Sequence, residues 1–576
     1  MALTRARIKS GRKISLIDVF LFLGVFIFVY AMVGVAFEWA GPFRAKTEIN
    51  LGLLSLAGYG FLSLVRVFFA YFLSLLLTFT YGYVAAKSRV AEKILIPLLD
   101  ILQSVPVLGF MPGLVLALVH VFPNTNLGLE LAAIIMIFTG QGWNMVFSFY
   151  SSLKSVPNEF REMAALFRLK NWDVFKRIEL PYAMNGLLWN SMLSMAGGWF
   201  FVMTIESFSL GKQDFRLPGI GSYMAVAYEK NDYQAVVMGI VVMFTLIILV
   251  DRVLWAPLVV WSERFKFDRD LHREPLRSVI LDWMKRSDLL RELLSLQESL
   301  SKKIEKAQEA PRKHLEWVRE KLERWQKFGR ILRNVMMVIL FATLLYGGKS
   351  VYQLLGGNSF EDWVVFFRDT FLTFLRVTLA VFLGSLWTIP VGVFIGTHRK
   401  WTSRLQPVVQ VVASFPAPML FPIITFILLK IRISIEFGSV VLMLFASQWY
   451  ILFNVIAGAT QIPSQMLDVA KVFRLKGWHY WTSVILPAIF PSLVNGWITA
   501  AGGAWNASIV SEFVLYRQQE LSATGIGATI TRAAQQGDFS QLAAAIFVMV
   551  MTVVLLNRFL WGNLYRLAET RFRLEP

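Results

Sequence analysis

Residues 162–181 read EMAALFRLKNWDVFKRIELP, and residues 468–487 read DVAKVFRLKGWHYWTSVILP. The two stretches, here called the first and second cassettes, share an acid, an alanine, the run Phe-Arg-Leu-Lys, a tryptophan and a final Leu-Pro, and each matched pair is 306 positions apart. Each cassette is basic and amphipathic and lies between two long apolar runs. A helical segment held between membrane spans and present twice is typical of a docking element for a two-fold symmetric cytoplasmic partner. An ordinary interfacial helix would explain one copy but not two at equivalent positions.

The residue types of the cassettes suit a helix that binds in a groove. Such a contact uses a few apolar anchors for affinity and flanking charge for register, and Phe167 and Phe473 are the expected anchors. Glu162 and Asp468 stand near the expected helix start, where the helix dipole favours an anion. The Leu-Pro pair is expected to end each segment, because proline starts a new helix well and continues an old one badly.

The composition is that of a polytopic membrane protein. Of the 576 residues, 56% are hydrophobic and only 16% are charged. A span needs about 20 apolar residues to cross the hydrocarbon core, and such runs must be helical because no water is there to satisfy the backbone. We therefore predict an all-α membrane protein with about 12 transmembrane helices. The expected spans are 17–38, 61–86, 94–121, 127–151, 184–206 and 236–261 in the first half and 331–347, 366–396, 405–430, 434–458, 489–512 and 541–561 in the second.

The net charge of +19 is explained by topology. Counting the spans alternately places the basic N-terminus, both cassettes, the run 398–400 and the basic C-terminus on one side. The positive-inside rule makes that side the cytoplasm, so both termini are predicted to be cytoplasmic. Nucleic-acid binding is not needed to account for the charge.

Each half of the chain is one repeat. The offset of 306 also relates Trp199 to Trp505 and Glu206 to Glu512, whereas an offset of 310 relates Arg66 to Arg376. Two parallel six-helix repeats place a path between the halves. The predicted domains are a first transmembrane unit (1–261), a charged helical hairpin linker (262–330) and a second unit (331–576). The linker has two possible roles, a solvated tether or a docking and regulatory element.

Several side chains are candidates for the translocation path, although each also has a structural alternative. Carboxylates at membrane depth are functional candidates, but these could instead bond the Gly-x-Gly loops that follow them. The arginines could attract an anion or snorkel to the headgroups. If the fifth helices line the path, Trp199 and Phe200 would form an aromatic wall opposite a more polar wall at Asn506. Alternatively, these side chains pack between helices. The candidates are Arg66, Trp199, Phe200, Glu206, Arg376, Trp505, Asn506 and Glu512.

The sequence excludes several other kinds of site. There is no cysteine, and the five histidines form no close pair, so neither a disulfide nor a metal site is indicated. The run 347–350 (GGKS) lacks the first glycine of a phosphate-binding loop and follows a membrane span rather than a strand. We therefore expect no cofactor, no enzymatic activity and no ATPase in this chain.

The cassettes are similar to the EAA signature of ABC importer permeases. In that family an acid, one or two alanines and a downstream Leu-Pro mark the coupling helix that sits in a groove of the ATPase subunit. The matching positions are Glu162, Ala164, Phe167, Arg168 and Pro181 in the first copy and Asp468, Ala470, Phe473, Arg474 and Pro487 in the second. One departure is that the family usually has glycine where Arg168 and Arg474 stand, so the turn after the helix is expected to differ.

The closest resemblance is to the nitrate/sulfonate/bicarbonate branch, with two permease units fused. It implies the type I ABC importer transmembrane fold in the cell inner membrane. It also implies two copies of an ATPase subunit, which bind ATP and magnesium, and a periplasmic or extracellular substrate-binding protein. A small anion such as nitrate, a sulfonate (taurine) or bicarbonate is the expected solute. The alternative is a secondary carrier of the major-facilitator type, which shares the twelve-span plan but lacks the repeated cassette.

Overall fold

The computed structural model describes residues 23, 29–30, 32–211, 213–265, 281–282, 346–516 and 519–572. The predicted spans 17–38 and 331–347 and the predicted linker 262–330 lie largely outside these residues. The chain forms two compact units. One consists of Met1–Glu38, Ala256–Trp261 and Arg269–Gln353, and its described residues are helical. The other consists of Trp39–Trp255, Ser262–Asp268 and Leu354–Pro576 and contains both cassettes.

The described residues repeat one order of elements twice. Residues 53–262 and residues 360–571 each contain eight helices, and in each a β-hairpin separates the sixth helix from the seventh. The first half contains α1 (Leu53–Lys87), α2 (Arg89–Ser104), α3 (Met111–Val121), α4 (Leu127–Lys154), α5 (Asn158–Leu166), α6 (171–205), β1 (Ser207–Leu210), β2 (Gln213–Arg216), α7 (Ile220–Glu229) and α8 (Tyr233–Ser262). The second half contains α9 (Phe360–Thr397), α10 (Arg399–Ala413), α11 (Phe421–Lys430), α12 (Ile435–Thr460), α13 (Ser464–Val472), α14 (Gly477–Ser511), β3 (Phe513–Tyr516), β4 (Gln519–Ser522), α15 (Ile526–Gln536) and α16 (539–571).

The described helices confirm an all-α polytopic membrane fold. Within the described ranges, seven helices are long and apolar enough to cross a membrane, or nine if each of two bent pairs forms one span. The predicted spans 94–121 and 405–430 are these bent pairs, with bends of 80° and 72°. Pro106 and Pro416 stand at the bends in extended conformation. Proline lacks the N–H that would continue the helix, so each apolar run is split.

The expectation that Leu-Pro ends each cassette is wrong. Both α6 and α14 run through the proline as one continuous helix. A π-helical turn stands immediately before the Leu-Pro pair in each, at Phe175–Glu179 and at Trp481–Ile485. Proline has no N–H to donate to the carbonyl four residues earlier, and the widened turn shifts the hydrogen-bond register there. The helix therefore continues from the cassette into the membrane span.

Small residues let the helices of the second half approach closely. A Cβ built on Gly392 of α9 would lie 2.7 Å from Val455 of α12, and one on Gly458 of α12 would lie 2.7 Å from Ser492 of α14. Close approach gives van der Waals contact, which holds helices together where lipid removes the hydrophobic driving force. The pairing of α12 with α9 and α14 therefore depends on these glycines.

Two β-hairpins, which the sequence analysis missed, follow the long sixth helix of each half. In the first, β1 and β2 pair antiparallel with Phe208 opposite Phe215, whose rings stack at 5.2 Å. This hairpin lies at the end of α6 remote from the cassette, and the 26-residue stretch Leu180–Ile205 separates them by about 39 Å. Its turn reaches the other half, where the Gly211 N–H donates to the carbonyl of Ala534 at 2.9 Å.

Candidate functional site

The short helices α5 and α13, which begin the cassettes, end in the same turn. The N–H of Leu169 donates to the Ala164 carbonyl and that of Arg168 to the Ala165 carbonyl, at 2.9 and 3.0 Å. Leu475 and Arg474 make the equivalent bonds in the second copy, also at 2.9 and 3.0 Å. This pair of bonds is the Schellman helix ending. Ala164 and Ala470 thus each accept the hydrogen bond from the residue five positions later.

Two arginines in these turns have a left-handed backbone. Arg168 has φ of 48° and Arg474 has φ of 52°, both in the left-handed region. The two hydrogen bonds of the turn hold each arginine in this conformation. A non-glycine residue in this region costs roughly 1–2 kcal/mol.

The turn orients the expected anchors toward solvent. Phe167 is 72% exposed and Phe473 is 73% exposed, whereas Ala164 and Ala470 behind them are buried. Glu162 and Asp468 are also exposed. Each cassette thus presents an unpaired aromatic side chain beside an acid within the described part of the chain.

The short helices α5 and α13 differ in charge pairing. Lys471 donates to Asp468 across 2.9 Å, and this hydrogen bond raises the pKa of Lys471 above its ordinary value. The first copy has Ala165 in place of that lysine, so Glu162 has no such partner three residues later.

A buried ion cluster lies at the hairpin end of the first half. Arg66 of α1 donates two hydrogen bonds to Glu130 of α4, at 2.6 and 2.7 Å, and one to Glu206 at 2.6 Å. Ser63 and the Gly221 N–H also donate to Glu206, at 2.6 and 2.7 Å. All three charged side chains are at most 2% exposed. The cluster joins α1, α4, the end of α6 and the start of α7.

The second half repeats this cluster in a more open form. Arg376 of α9 donates to Glu512 at 2.9 Å and also to Glu436 of α12. Thr373 replaces the serine and donates to Glu512 at 2.7 Å. The Glu436 side chain is 44% exposed, so water reaches this cluster and not the first.

Four of the eight path candidates belong to these clusters. Arg66, Arg376, Glu206 and Glu512 pair arginine with glutamate within each half, because a buried charge needs an opposite charge and hydrogen bonds. Both arginine side chains are therefore held against carboxylates. Sequence reasoning missed Glu130 and Glu436, although both are acids in the first helical turn of α4 and α12 at the offset of 306.

A partly open cavity of about 160 Å³ lies between the two halves. The helices α4 and α6 line it from the first half, and α12 and α14 line it from the second. Three path candidates, Phe200, Trp505 and Asn506, are on its wall. Trp199 is not among the lining residues and is only 1% exposed, because it packs inside the first half.

Asn506 connects the halves at the edge of the cavity. Its Oδ1 accepts the N–H of Val107 at 2.7 Å, and its Nδ2 donates to the Gly502 carbonyl at 3.0 Å. Val107 follows the break at Pro106 in the first half, so its N–H has no helical partner. Asn506, which the sequence suggested as a solute-binding residue, therefore accepts the N–H left without a partner at the broken helix of the opposite half.

No group of three or more metal-ligating side chains occurs in the part of the chain that the structure describes. The described parts of the candidate site are a lined cavity, two ion clusters and two exposed short helices.

Comparison with known proteins matches the repeat. The family model described as "Binding-protein-dependent transport system inner membrane component" matches residues 78–254 and again residues 388–573, which together exceed half of the chain. Two permease units are therefore fused in this chain.

Individual relatives match about one third of the chain. The bicarbonate transport system permease protein CmpB of Synechococcus elongatus is 28% identical over 193 residues, 34% of this chain and 66% of the relative. The nitrate import permease protein NrtB of Synechocystis sp. is 24% identical over 190 residues, which are 33% of this chain and 66% of the relative. A putative ABC transporter permease of Methanocaldococcus jannaschii is 23% identical over 206 residues, which are 36% of this chain and 71% of the relative. The chain thus spans about two thirds of the length of the curated relatives it matches.

Proposed function

Because the chain belongs to the family of binding-protein-dependent transport system inner membrane components, we propose that it is the fused permease subunit of an ATP-binding cassette importer. The observation that carries the proposal is the pair of docking helices, which end in the same Schellman turn and expose equivalent phenylalanines. This family membership displaces the secondary carrier of the major-facilitator type.

The proposed partners on the cassette side are two ATPase subunits. Each would receive one docking helix, with Phe167 or Phe473 as its aromatic anchor and the neighbouring acid and arginine fixing the register. Because α6 and α14 continue from the cassette into the membrane, a movement of either docking helix is transmitted directly to the cavity wall. ATP binding would draw the two ATPase subunits together, and the halves would then alternate access to the cavity.

On the hairpin side, the proposed partner is a substrate-binding protein that delivers solute from outside. The distribution of basic residues supports a multi-pass inner-membrane location with both termini in the cytoplasm. Bicarbonate and nitrate appear in the names of the relatives, so a small oxyanion is the first expectation for the solute.

The test is co-purification with an ATPase subunit followed by an ATP hydrolysis assay. We expect the chain alone to hydrolyse no ATP and the complex to be active in lipid. Replacing Phe167 and Phe473 together by alanine should abolish pull-down, because loss of a buried aromatic anchor typically costs about 2 kcal/mol or more.

The matched control is Phe360→Ala, which removes a phenylalanine that is 83% exposed at the start of α9. This variant should bind the ATPase as the native chain does. Undiminished ATPase binding by the double variant would refute the docking role of the two phenylalanines. ATP hydrolysis by the pure isolated chain would refute the proposal that a separate subunit hydrolyses ATP.

A further inference from the structure

The walls of the cavity have a composition that a small inorganic anion does not explain. None of the described residues lining it is Asp, Glu, Lys, Arg or His. Ten of the lining residues are aromatic, including Phe200, Phe445, Trp449, Tyr450 and Trp505. The face of an aromatic ring carries negative charge density and therefore disfavours an anion in contact with it.

Desolvation strengthens this argument. An ion that leaves water for an enclosed site loses hydration that only an opposite charge and several hydrogen bonds replace. The two arginines of the ion clusters do not line the cavity. Both already donate hydrogen bonds to carboxylates. Nitrate or bicarbonate would therefore enter this cavity without a counter-charge.

The size of the cavity suits one ring. An apolar cavity of about 150 Å³ holds one benzene molecule, and the cavity here is about 160 Å³. Gly502 of α14 leaves part of the wall open, since a Cβ built on it would meet no atom within 4 Å. Aromatic rings pair with aromatic walls by offset or edge-to-face contacts that add to the burial of area.

Two neutral polar groups on the wall supply orientation. The Tyr450 hydroxyl and the Asn144 carboxamide both line the cavity, and neither side chain bonds to another described residue. A solute with one or two hydrogen-bonding groups on its ring would satisfy them. Resting on the proposed importer function, we propose that the translocated solute is a small uncharged molecule built on a single aromatic ring with a polar substituent.

The experiment measures binding of a matched series to the full chain in lipid nanodiscs, with no ATPase present. The probes are benzamide, benzoate, benzamidinium, cyclohexanecarboxamide, nitrate and bicarbonate. We expect the Kd of benzamide to be at least about tenfold lower than that of each other probe, since about 1.4 kcal/mol separates a tenfold step. Tighter binding of nitrate, bicarbonate or benzoate, equal binding of the saturated amide, or no binding of benzamide overturns the proposal.

Two variant pairs locate the site. Gly502→Leu should weaken benzamide binding by about tenfold or more because it fills the open wall, whereas Gly58→Leu, at an open helical position on α1, should leave it unchanged. Phe445→Leu should weaken binding about two- to tenfold, and Phe437→Leu, an exposed position of α12 outside the cavity, should not. Binding unaffected by both cavity variants also overturns the proposal.

Binding without the ATPase separates this inference from the proposed function. A chain that binds benzamide but never stimulates an ATPase would refute only the importer. A chain that couples to an ATPase but prefers nitrate would refute only the solute class.

Discussion

A single arginine holds two carboxylates in each half, but the two arginines differ in burial. The side chain of Arg66 is 1% exposed and that of Glu130 is 2% exposed, whereas Arg376 is 10% exposed and its partner Glu436 is 44% exposed. Water can replace a lost partner only where it has access. The same residue substitution should therefore cost different amounts in the two halves.

Arg66→Met should destabilise the protein more than Arg376→Met. Removing one partner of a buried ion pair costs about 3–5 kcal/mol, and partial exposure should reduce the loss in the second half to about half of that. The measurement is the thermal unfolding midpoint of each variant in the same detergent. Arg404→Met, an exposed position of α10, serves as control and should leave the midpoint unchanged. Equal decreases in the unfolding midpoint for the two arginine variants would show that solvent access does not set the cost of the substitution.

The left-handed turn at Arg168 makes a second prediction at the residue scale. Arg168→Gly should stabilise the turn by up to about 1 kcal/mol, because glycine adopts positive φ without a Cβ penalty. Arg168→Val should destabilise it, because a β-branched residue is a severe outlier there. Amide exchange at Leu169 reports the turn directly. Faster exchange in the glycine variant than in the native chain would show that the arginine side chain itself holds the turn.

Among the elements, the first hairpin forms an isolated β-bridge with the segment before α1, from Lys46 to Arg216, and the second hairpin has no such bridge within the described residues. The segment before α1 pairs with β2, where the Arg216 N–H donates to the Ala45 carbonyl at 2.8 Å. Beside it, Lys46 donates to Asp214 at 2.8 Å, and Ser209 donates to the same carboxylate at 2.8 Å. The hydrogen bond from Lys46 is the larger cause that lowers the pKa of Asp214. This segment therefore fastens the first hairpin partly by charge.

Attachment of this segment should weaken in acid. The attached form has the lower Asp214 pKa, so its stabilisation is complete above the ordinary pKa of about 3.8 and is lost as the pH falls through the lowered value. Both side chains are roughly half exposed, so the effect should be below about 1 kcal/mol. The measurement is the protection factor of the Thr47 and Arg216 amides, corrected for intrinsic exchange. In Asp214→Asn the pH dependence should vanish; if it persists, another group causes it.

At the scale of the whole molecule, the repeat gives a pseudo-dimer whose halves are not interchangeable. The first half has the closed ion cluster and the fastened hairpin, and the second has the open cluster and the acid-to-lysine pair in its cassette. The halves meet where Phe244 stacks on Phe415 at 4.4 Å and where Tyr228 donates to the Met419 carbonyl at 2.7 Å. The two halves share one order of elements, which suits two equivalent partners. Their side-chain interactions differ, which suits one asymmetric cavity between them.

Partner stoichiometry should follow the cassettes one by one. Phe167→Ala alone and Phe473→Ala alone should each reduce the co-purified ATPase from two copies to one, and the double variant should retain none. Native mass spectrometry of the lipid-solubilised complex measures this directly. Loss of both copies from either single variant would mean that the ATPase subunits bind only as a preformed pair.

The membrane class, the repeat and the positions of the two cassettes could be predicted from the amino-acid sequence. These properties are local or periodic: apolar runs of sufficient length must be helices, and a cassette at a fixed offset marks equivalent sites. The exposure of Phe167 and Phe473 agrees with the amphipathic pattern of the cassettes, and their role as anchors stays a prediction.

The pairing of the charges and the lining of the cavity depend on tertiary packing. Glu130 is 64 positions from Arg66 and Val107 is 399 positions from Asn506, so no local pattern could pair them. The bends at Pro106 and Pro416 and the continuity of the helices through Pro181 and Pro487 likewise depend on the surrounding backbone bonds. A proline breaks a helix where its neighbours turn away and is accommodated where a π-helical turn absorbs the missing bond, and that choice is made by packing rather than by the residue.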